Sequence, residues 1–156
     1  MILEASKIDF YNLSPILKLK AQSGQEHLVA SNAITIAQGR YEPAGWVRGL
    51  WDGDIAIGLI AMITPKIKSP SFEEGDHTDA AYLWRLVIAD EHQGKGYGAQ
   101  AVAIAFQQTR VWGLPKLQTS VVRATISPLP FYDRQGLMRT GNMLDKEIEL
   151  LADVPA

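Results

Sequence analysis

Gln93-Gly94-Lys95-Gly96-Tyr97-Gly98 is the stretch on which the fold turns. An apolar run, Ala80 to Ile88, precedes it, and an alanine-rich helical pattern follows from Ala99. The order is therefore strand, glycine-rich turn, helix. Glycines at 94, 96 and 98 let the backbone bend tightly and keep side chains away from an approaching ligand. The turn also presents unpaired backbone N–H groups at a helix start, where the macrodipole favours negative charge. An arrangement of this kind binds phosphate.

Working outward, Gly98 to Trp112 reads as a helix that buries Val102, Ala105 and Phe106 and ends at Gly113. Lys116 to Val122 has the β-branched content of a buried strand. Ser127 to Gln135 reads as a short helix with Ser127 as cap, Pro128 at its first position and Gly136 as its stop. Leu137–Gly141 and Asp145–Leu151 read as two strands joined through Gly141-Asn142. Upstream, Trp46–Trp51 and Ile55–Ile63 pair across the hairpin turn Asp52-Gly53-Asp54. A polar loop, Thr64 to Asp79, then leads to the central strand, Ala80–Ala89. Leu13, Ile16 and Leu17 predict a helix over Asp9–Lys20. Asn32 is positioned to cap a second helix carrying Ala33, Ile36 and Ala37, stopped by Gly39 and Pro43. By strand alternation Tyr82, Trp84 and Leu86 share one face. The sum is a mixed α/β (α+β) sheet with helices on both faces.

The 156 residues fit a single domain, 1–156, long enough to bury a core. With 47% apolar and 21% charged residues, the composition is that of a globular chain. No apolar run reaches the roughly 18–20 residues needed to span a bilayer, and the N-terminus has no secretory pattern. The chain has no cysteine, which excludes a disulfide scaffold and a thiol nucleophile and suits the cytoplasm. His27, His77 and His92 show no ligand spacing, so no metal is expected, and a surface position is expected for all three. A formal charge of -2 carries no whole-chain footprint for nucleic acid. Yet no acid lies between Glu91 and Asp133, while Lys95, Arg110, Lys116 and Arg123 do. That asymmetry is read either as chance together with a buried sheet or as the mark of a ligand that is anionic on this half. The loop acids Glu73, Glu74, Asp76 and Asp79 are read first as solvated, and second as a lure for a polycation.

Three phosphate-loop patterns compete. Gly94-x-Gly96-x-x-Ala99 satisfies the dinucleotide fingerprint formally, but the acid expected about 20 residues on is missing. Lys95 is misplaced for G-x-x-x-x-G-K-S/T. Gln93-x-x-Gly96-x-Gly98 resembles the Q/R-x-x-G-x-G/A pyrophosphate loop of the GNAT superfamily of N-acetyltransferases. Leu86 through Gly98 is similar to that superfamily's strand, linker and loop end to end, and Ser127-Pro128-x-x-Phe131-Tyr132-x-x-x-Gly136-Leu137 is similar to its S-P-x-x-F-Y-x-x-x-G-F segment. Gln25-Glu26-x-Leu28-Val29-Ala30-x-Asn32 resembles a stretch of the bacterial diamine and spermidine acetyltransferases.

The resemblance implies a mostly antiparallel GNAT-type sheet, acetyl-coenzyme A as donor and a primary amine as acceptor, with a small polyamine or diamine such as spermidine favoured. It implies that Leu86, Val87 and Ile88 offer backbone groups to the pantetheine arm. It also implies that Gln93, Gly94, Lys95, Gly96, Tyr97, Gly98 and Ala99 hold the pyrophosphate. Thr125 stands where relatives often have an asparagine that touches coenzyme A. Tyr132 is the implied general acid: a phenol with a pKa near 10 stays protonated at neutral pH and donates to the leaving sulfur. Many relatives carry a carboxylate where this chain has Trp84, which cannot take a proton and is read instead as a wall of the acceptor pocket or a ring that contacts a cation, with plain packing as the alternative. The base is then an ordered water or another acid, Glu26 first and Glu42 second, and Glu26 is expected to bind the acceptor. Alternatives are a protein or peptide N-acetyltransferase, a non-catalytic acyl-coenzyme A sensor and, more distantly, a Rossmann oxidoreductase. Dimers are common in the superfamily, so a homodimer is compatible with the resemblance.

Overall fold

The computed structural model describes residues 1–21, 31–123 and 127–155. Its centre is the strand pair β3 (Ile55–Ile63) and β4 (Ala80–Ile88), paired antiparallel. Ile57 to Met62 is one continuous buried run, which demands cover on both faces of the sheet. The other strands are β1 (Glu4–Lys7), β2 (Gly45–Asp52), β5 (Lys116–Val122), β6 (Met138–Leu144) and β7 (Glu147–Asp153). They form one seven-stranded sheet in the order β1-β2-β3-β4-β5-β7-β6. Only β4 and β5 run parallel, as strands joined by a helical crossover must.

The crossover is α3 (Tyr97–Val111), which buries Ala101, Val102 and Ala105. It shares the main core with Leu50, Ile60, Met62, Leu83, Leu117 and Leu150. The short α4 (Leu129–Arg134) packs Leu129, Phe131 and Tyr132 against the same cluster. On the opposite face α1 (Leu13–Leu17) and α2 (Asn32–Tyr41) cover a second cluster of Ile16, Leu59 and Ala61, with Ile36, Trp51 and Trp84 around it.

Five local expectations change. The edge strand β1 is unanticipated; it is only four residues long, and its inward residues are Ala5 and the neighbouring Leu3. The first helix is shorter than Asp9–Lys20. Asp9 Oδ1 accepts the amides of Tyr11 and Asn12, and Asn12 donates from Nδ2 to the Lys7 carbonyl, so a side-chain-built turn occupies its first residues. The cap of α2 is Ser31, whose hydroxyl accepts the Ile34 amide at 3.2 Å. Asn32 is the first helical residue and donates to the Ile16 carbonyl at 2.8 Å. Gly39 does not stop that helix; a Cβ there would collide with Val47 Cγ2, so glycine permits α2 to sit close on β2. Finally, Gly141-Asn142 marks an irregularity inside β6, and the turn to β7 is at Asp145-Lys146, with Asp145 at φ 55°.

Candidate active site

β4 and β5 pair only over Ala80–Leu83 and Lys116–Thr119. The β3–β4 register slips at the same point: Met62 faces Leu83 and Ala61 faces Arg85, so Trp84 is an inserted residue. A bulge bends and overtwists its strand. Here it carries β4 away from β5, and Thr119 Oγ1 donates to the last paired carbonyl, Leu83 O, at 2.8 Å. Beyond it β4 stays paired with β3, and β5 with β7. The facing edges of Trp84–Ile88 and Ser120–Val122 are left as a wedge. The bulge also corrects the expected alternation. Trp84 packs on the α1–α2 face, whereas Leu86 packs into the main core on the α3 face.

A lower hollow of about 560 Å³ lies at the start of α3. It is lined by Gln93, Gly94, Gly96, Tyr97, Gly98 and Ala99 from the loop and by Phe131, Tyr132 and Arg134 from α4. Gly94 and Gly96 have φ of 74° and 88°, in the left-handed region that disfavours side chains. Gly98 serves differently: a Cβ there would lie 3.2 Å from the Phe131 ring. The amides of the first turn of α3 have no partner within the helix. The Gln93 side chain donates to the Ile88 carbonyl at 3.0 Å and ties the loop to the end of β4. Tyr97 turns its ring into the core, and its hydroxyl donates to Asp52 at 2.6 Å, leaving its backbone to the hollow. Lys95 is exposed. No acid is among the described residues of this hollow, and Arg134, which sequence reasoning missed, supplies a cation. Such a lining fits a diphosphate.

An upper hollow of about 170 Å³ fills the wedge, lined by Trp84, Arg85, Leu86, Val87 and Ile88 on one side and Thr119 to Val122 on the other. The two hollows share Leu86, Ile88, Gln93, Pro128 and Tyr132. Withdrawal from water pushes the Tyr132 hydroxyl up to about 12, with Tyr82 adding a smaller rise. Tyr132 is thus a neutral donor at the junction. The upper hollow also receives Glu147 from β7, a residue that sequence reasoning did not single out. Ser120 Oγ donates to Glu147 Oε2 at 3.2 Å and lies 2.6 Å from the Tyr82 hydroxyl. Arg85 lays its guanidinium 4.8 Å from the Trp84 ring centroid and donates to Thr35 and Gln38 of α2. The cation that Trp84 contacts is therefore the chain's own.

Glu26, His27 and Thr125 lie outside the described residues. Glu42 stands apart from both hollows, bonded to Ser69 and to the Ala44 amide. Burial pushes its carboxyl up, but hydrogen bonds from Ser69, Ser71 and Ala44 outweigh that and leave it below its ordinary value. His77 and His92 are half-buried rather than free on the surface: His77 Nε2 is 3.3 Å from Glu149, and His92 packs edge-on against Tyr97. Glu73, Glu74, Asp76 and Asp79 line neither hollow; Asp79 pairs with Lys116 at 3.6 Å.

The sequence profile of the Acetyltransferase (GNAT) family matches residues 6–137. The chain belongs to the GNAT acetyltransferase family. Membership makes it an acetyl-coenzyme A-dependent N-acetyltransferase, with acetyl-coenzyme A as co-substrate. Among solved structures it is similar to PaiA N-acetyltransferase from Thermoplasma acidophilum in complex with coenzyme A. That match has a TM-score of 0.68 and 15% identity, over 98% of this chain and 99% of that one. It is also similar to the spermidine/spermine N-acetyltransferase SpeG from Vibrio cholerae, with TM-score 0.66 and 17% identity over 97% and 92% of the two chains. A ribosomal-protein alanine N-acetyltransferase from Escherichia coli matches with TM-score 0.68 and 12% identity over 99% and 96%. At these identities the likeness speaks for the fold. No curated protein matches the chain in sequence.

Proposed function

We propose that this enzyme acetylates a primary amine of a small diamine or polyamine, with spermidine as the representative acceptor. The observation that carries the reading is the meeting of two unlike hollows at Tyr132. The lower one suits the diphosphate of the donor. The main-chain donors of Gly94 to Ala99 hold it, Lys95 contributes through its backbone, and Gln93 keeps the loop against β4. The free edge of Leu86, Val87 and Ile88 guides the pantetheine arm. Thr125, next to the wedge in sequence, is the proposed further contact with coenzyme A. The upper hollow suits the acceptor, with Trp84 as its wall and Glu26 as a carboxylate that binds a distal ammonium. The resemblance of Gln25–Asn32 to diamine and spermidine acetyltransferases is what selects polyamines.

The chemistry follows from these positions. The amine nitrogen attacks the thioester carbon, a C–N bond forms and the C–S bond breaks. The Tyr132 hydroxyl gives its proton to the departing sulfur. Free edge amides of the wedge are available to the developing oxyanion.

Arg85 favours a second reading. Arg85 lines the upper hollow, and the guanidinium nitrogens it does not use toward α2 suit an acceptor bearing carbonyl or carboxylate oxygens, as a peptide does. One assay decides: thiol release from acetyl-coenzyme A with a panel of diamines, polyamines and short peptides. Turnover with spermidine exceeding that with peptides supports the first reading. Preference for peptides installs the second, and no release with any amine removes both.

A further inference from the structure

We propose that Glu147 is the catalytic residue that removes the proton from the acceptor amine, with Ser120 and Tyr82 holding its carboxylate in place. The inference rests on the acetyl-transfer reading above. That reaction needs a base, because an alkylammonium ion has a pKa of about 10.4 and cannot attack while protonated. Trp84, which lines the upper hollow from β4, has no basic atom.

Glu147 is the one acid among the described residues lining the upper hollow, where it faces the wedge with Tyr132. The other acids nearby are committed. Glu149 is 3% exposed and bonded by Gln118, Thr140 and His77. Glu42 belongs to a separate cluster with Ser69.

Glu147 is also positioned. Ser120 has one proton and donates it to Glu147 Oε2, so the short contact to Tyr82 must run the other way, with the Tyr82 hydroxyl donating to Ser120. The chain Tyr82 to Ser120 to Glu147 joins β4, β5 and β7 across the floor of the wedge. Among the described residues Oε1 takes part in no hydrogen bond, and it is the oxygen available to the amine. Around it stand Arg85 and Tyr82 from β4, Tyr132 from α4 and, two residues on in β7, Glu149 with His77.

The protons balance. The ammonium gives one to Glu147, and the neutral nitrogen attacks. As the C–S bond breaks, the thiolate takes the Tyr132 proton. The nitrogen, now bonded to the acetyl carbon, loses a second proton, which restores Tyr132. The proton on Glu147 leaves to solvent, and the amide keeps the third.

The test compares wild type with Glu147→Gln in thiol release with spermidine at saturating acetyl-coenzyme A, from about pH 6.5 to 10. The expected loss in kcat is about 100-fold near neutrality, of the size general-base removal gives. It shrinks toward pH 10 as the free amine becomes abundant in solution, while the affinity for acetyl-coenzyme A, read by calorimetry, stays unchanged. Ser120→Ala lowers kcat several-fold and Ser120→Thr restores it, which supplies a second readout should the Gln variant fold poorly. A Glu147→Gln enzyme within twofold of wild type, or one whose loss is the same at every pH, overturns the assignment. So does a Ser120→Ala enzyme equal to wild type. An active wild type with an indifferent Glu147→Gln removes Glu147 alone, whereas a wild type silent with every amine removes the acetyl-transfer reading and this inference with it.

Discussion

The two hollows on either side of Tyr132 are built from different materials. The lower one is made of backbone from one contiguous stretch, Gln93 to Ala99, closed by a neighbouring turn of helix. The upper one joins the free edges of β4 and β5 to side chains from β4, β5 and β7, drawn from positions spread over more than sixty residues of the chain. A site made of main-chain donors tolerates change in side chains but not in backbone geometry. A site made of side chains is the reverse. That contrast sets the order of effects expected from mutation.

The largest effect belongs to the junction. Tyr132→Phe keeps the ring and removes the proton, so kcat is expected to fall about 100-fold with acetyl-coenzyme A affinity unchanged. Thiol release together with calorimetry checks both halves. Because burial holds the phenol up near 12, its protonated form persists as pH rises, and no basic loss of kcat from this group is expected up to about pH 10. A pH–rate profile that falls through pH 9 in wild type but not in Tyr132→Phe would break that assignment.

The donor side comes next. Gly96→Val forces a β-branched residue to a φ of 88°, which only glycine adopts readily, and the loop must rearrange. The KM for acetyl-coenzyme A is expected to rise about 10-fold, a cost of about 1.4 kcal/mol, with kcat held within a few-fold. Arg134→Ala, which removes a charge-assisted contact rather than the cradle, raises that KM about threefold to tenfold. Lys95→Ala is expected to change it by less than about twofold, since an exposed lysine gains little from a pairing that water screens. Kinetics that reversed the order of Gly96 and Lys95 would show a site made of charge rather than of backbone.

A different readout sharpens the contrast away from catalysis. Glu149 is held by Gln118, Thr140 and His77. Burial raises its pKa, but those hydrogen bonds and the nearby His77 outweigh burial, so the carboxyl titrates below its ordinary value in the folded chain. Its contribution is therefore complete above the unfolded pKa and is lost as pH falls through the folded one. Thermal melts are expected to show acid destabilisation setting in below about pH 4.5 in wild type, and a weaker pH dependence there in Glu149→Gln.

The same contrast explains what could be read in advance. The strand–loop–helix unit was legible because its requirement for glycine is local: positions 94 and 96 need positive φ, and 98 needs room for Phe131. Tyr132 was legible through its place in a short segment that resembles known relatives. Arg134, two residues further on, lies within that segment and could have been found by asking which of its side chains face the loop. Glu147 and Ser120 carried no such signal, because only the parallel pairing of β4 with β5 and the antiparallel pairing of β5 with β7 bring them to the wedge. The bulge at Trp84 was hidden for a related reason. Alternation assumes an unbroken strand, and the inserted residue reverses the face of everything after it. β1 escaped because four residues with one inward apolar side chain do not make a period.

The central claim is that backbone donors at the start of α3 hold the diphosphate of acetyl-coenzyme A. Calorimetric titration of acetyl-coenzyme A into wild type, Gly96→Val and Tyr132→Phe tests it most directly. One-to-one binding that weakens about 10-fold in Gly96→Val and is untouched in Tyr132→Phe is the predicted result. Absence of binding heat in wild type, or a Gly96→Val protein that binds as tightly as wild type, would contradict it.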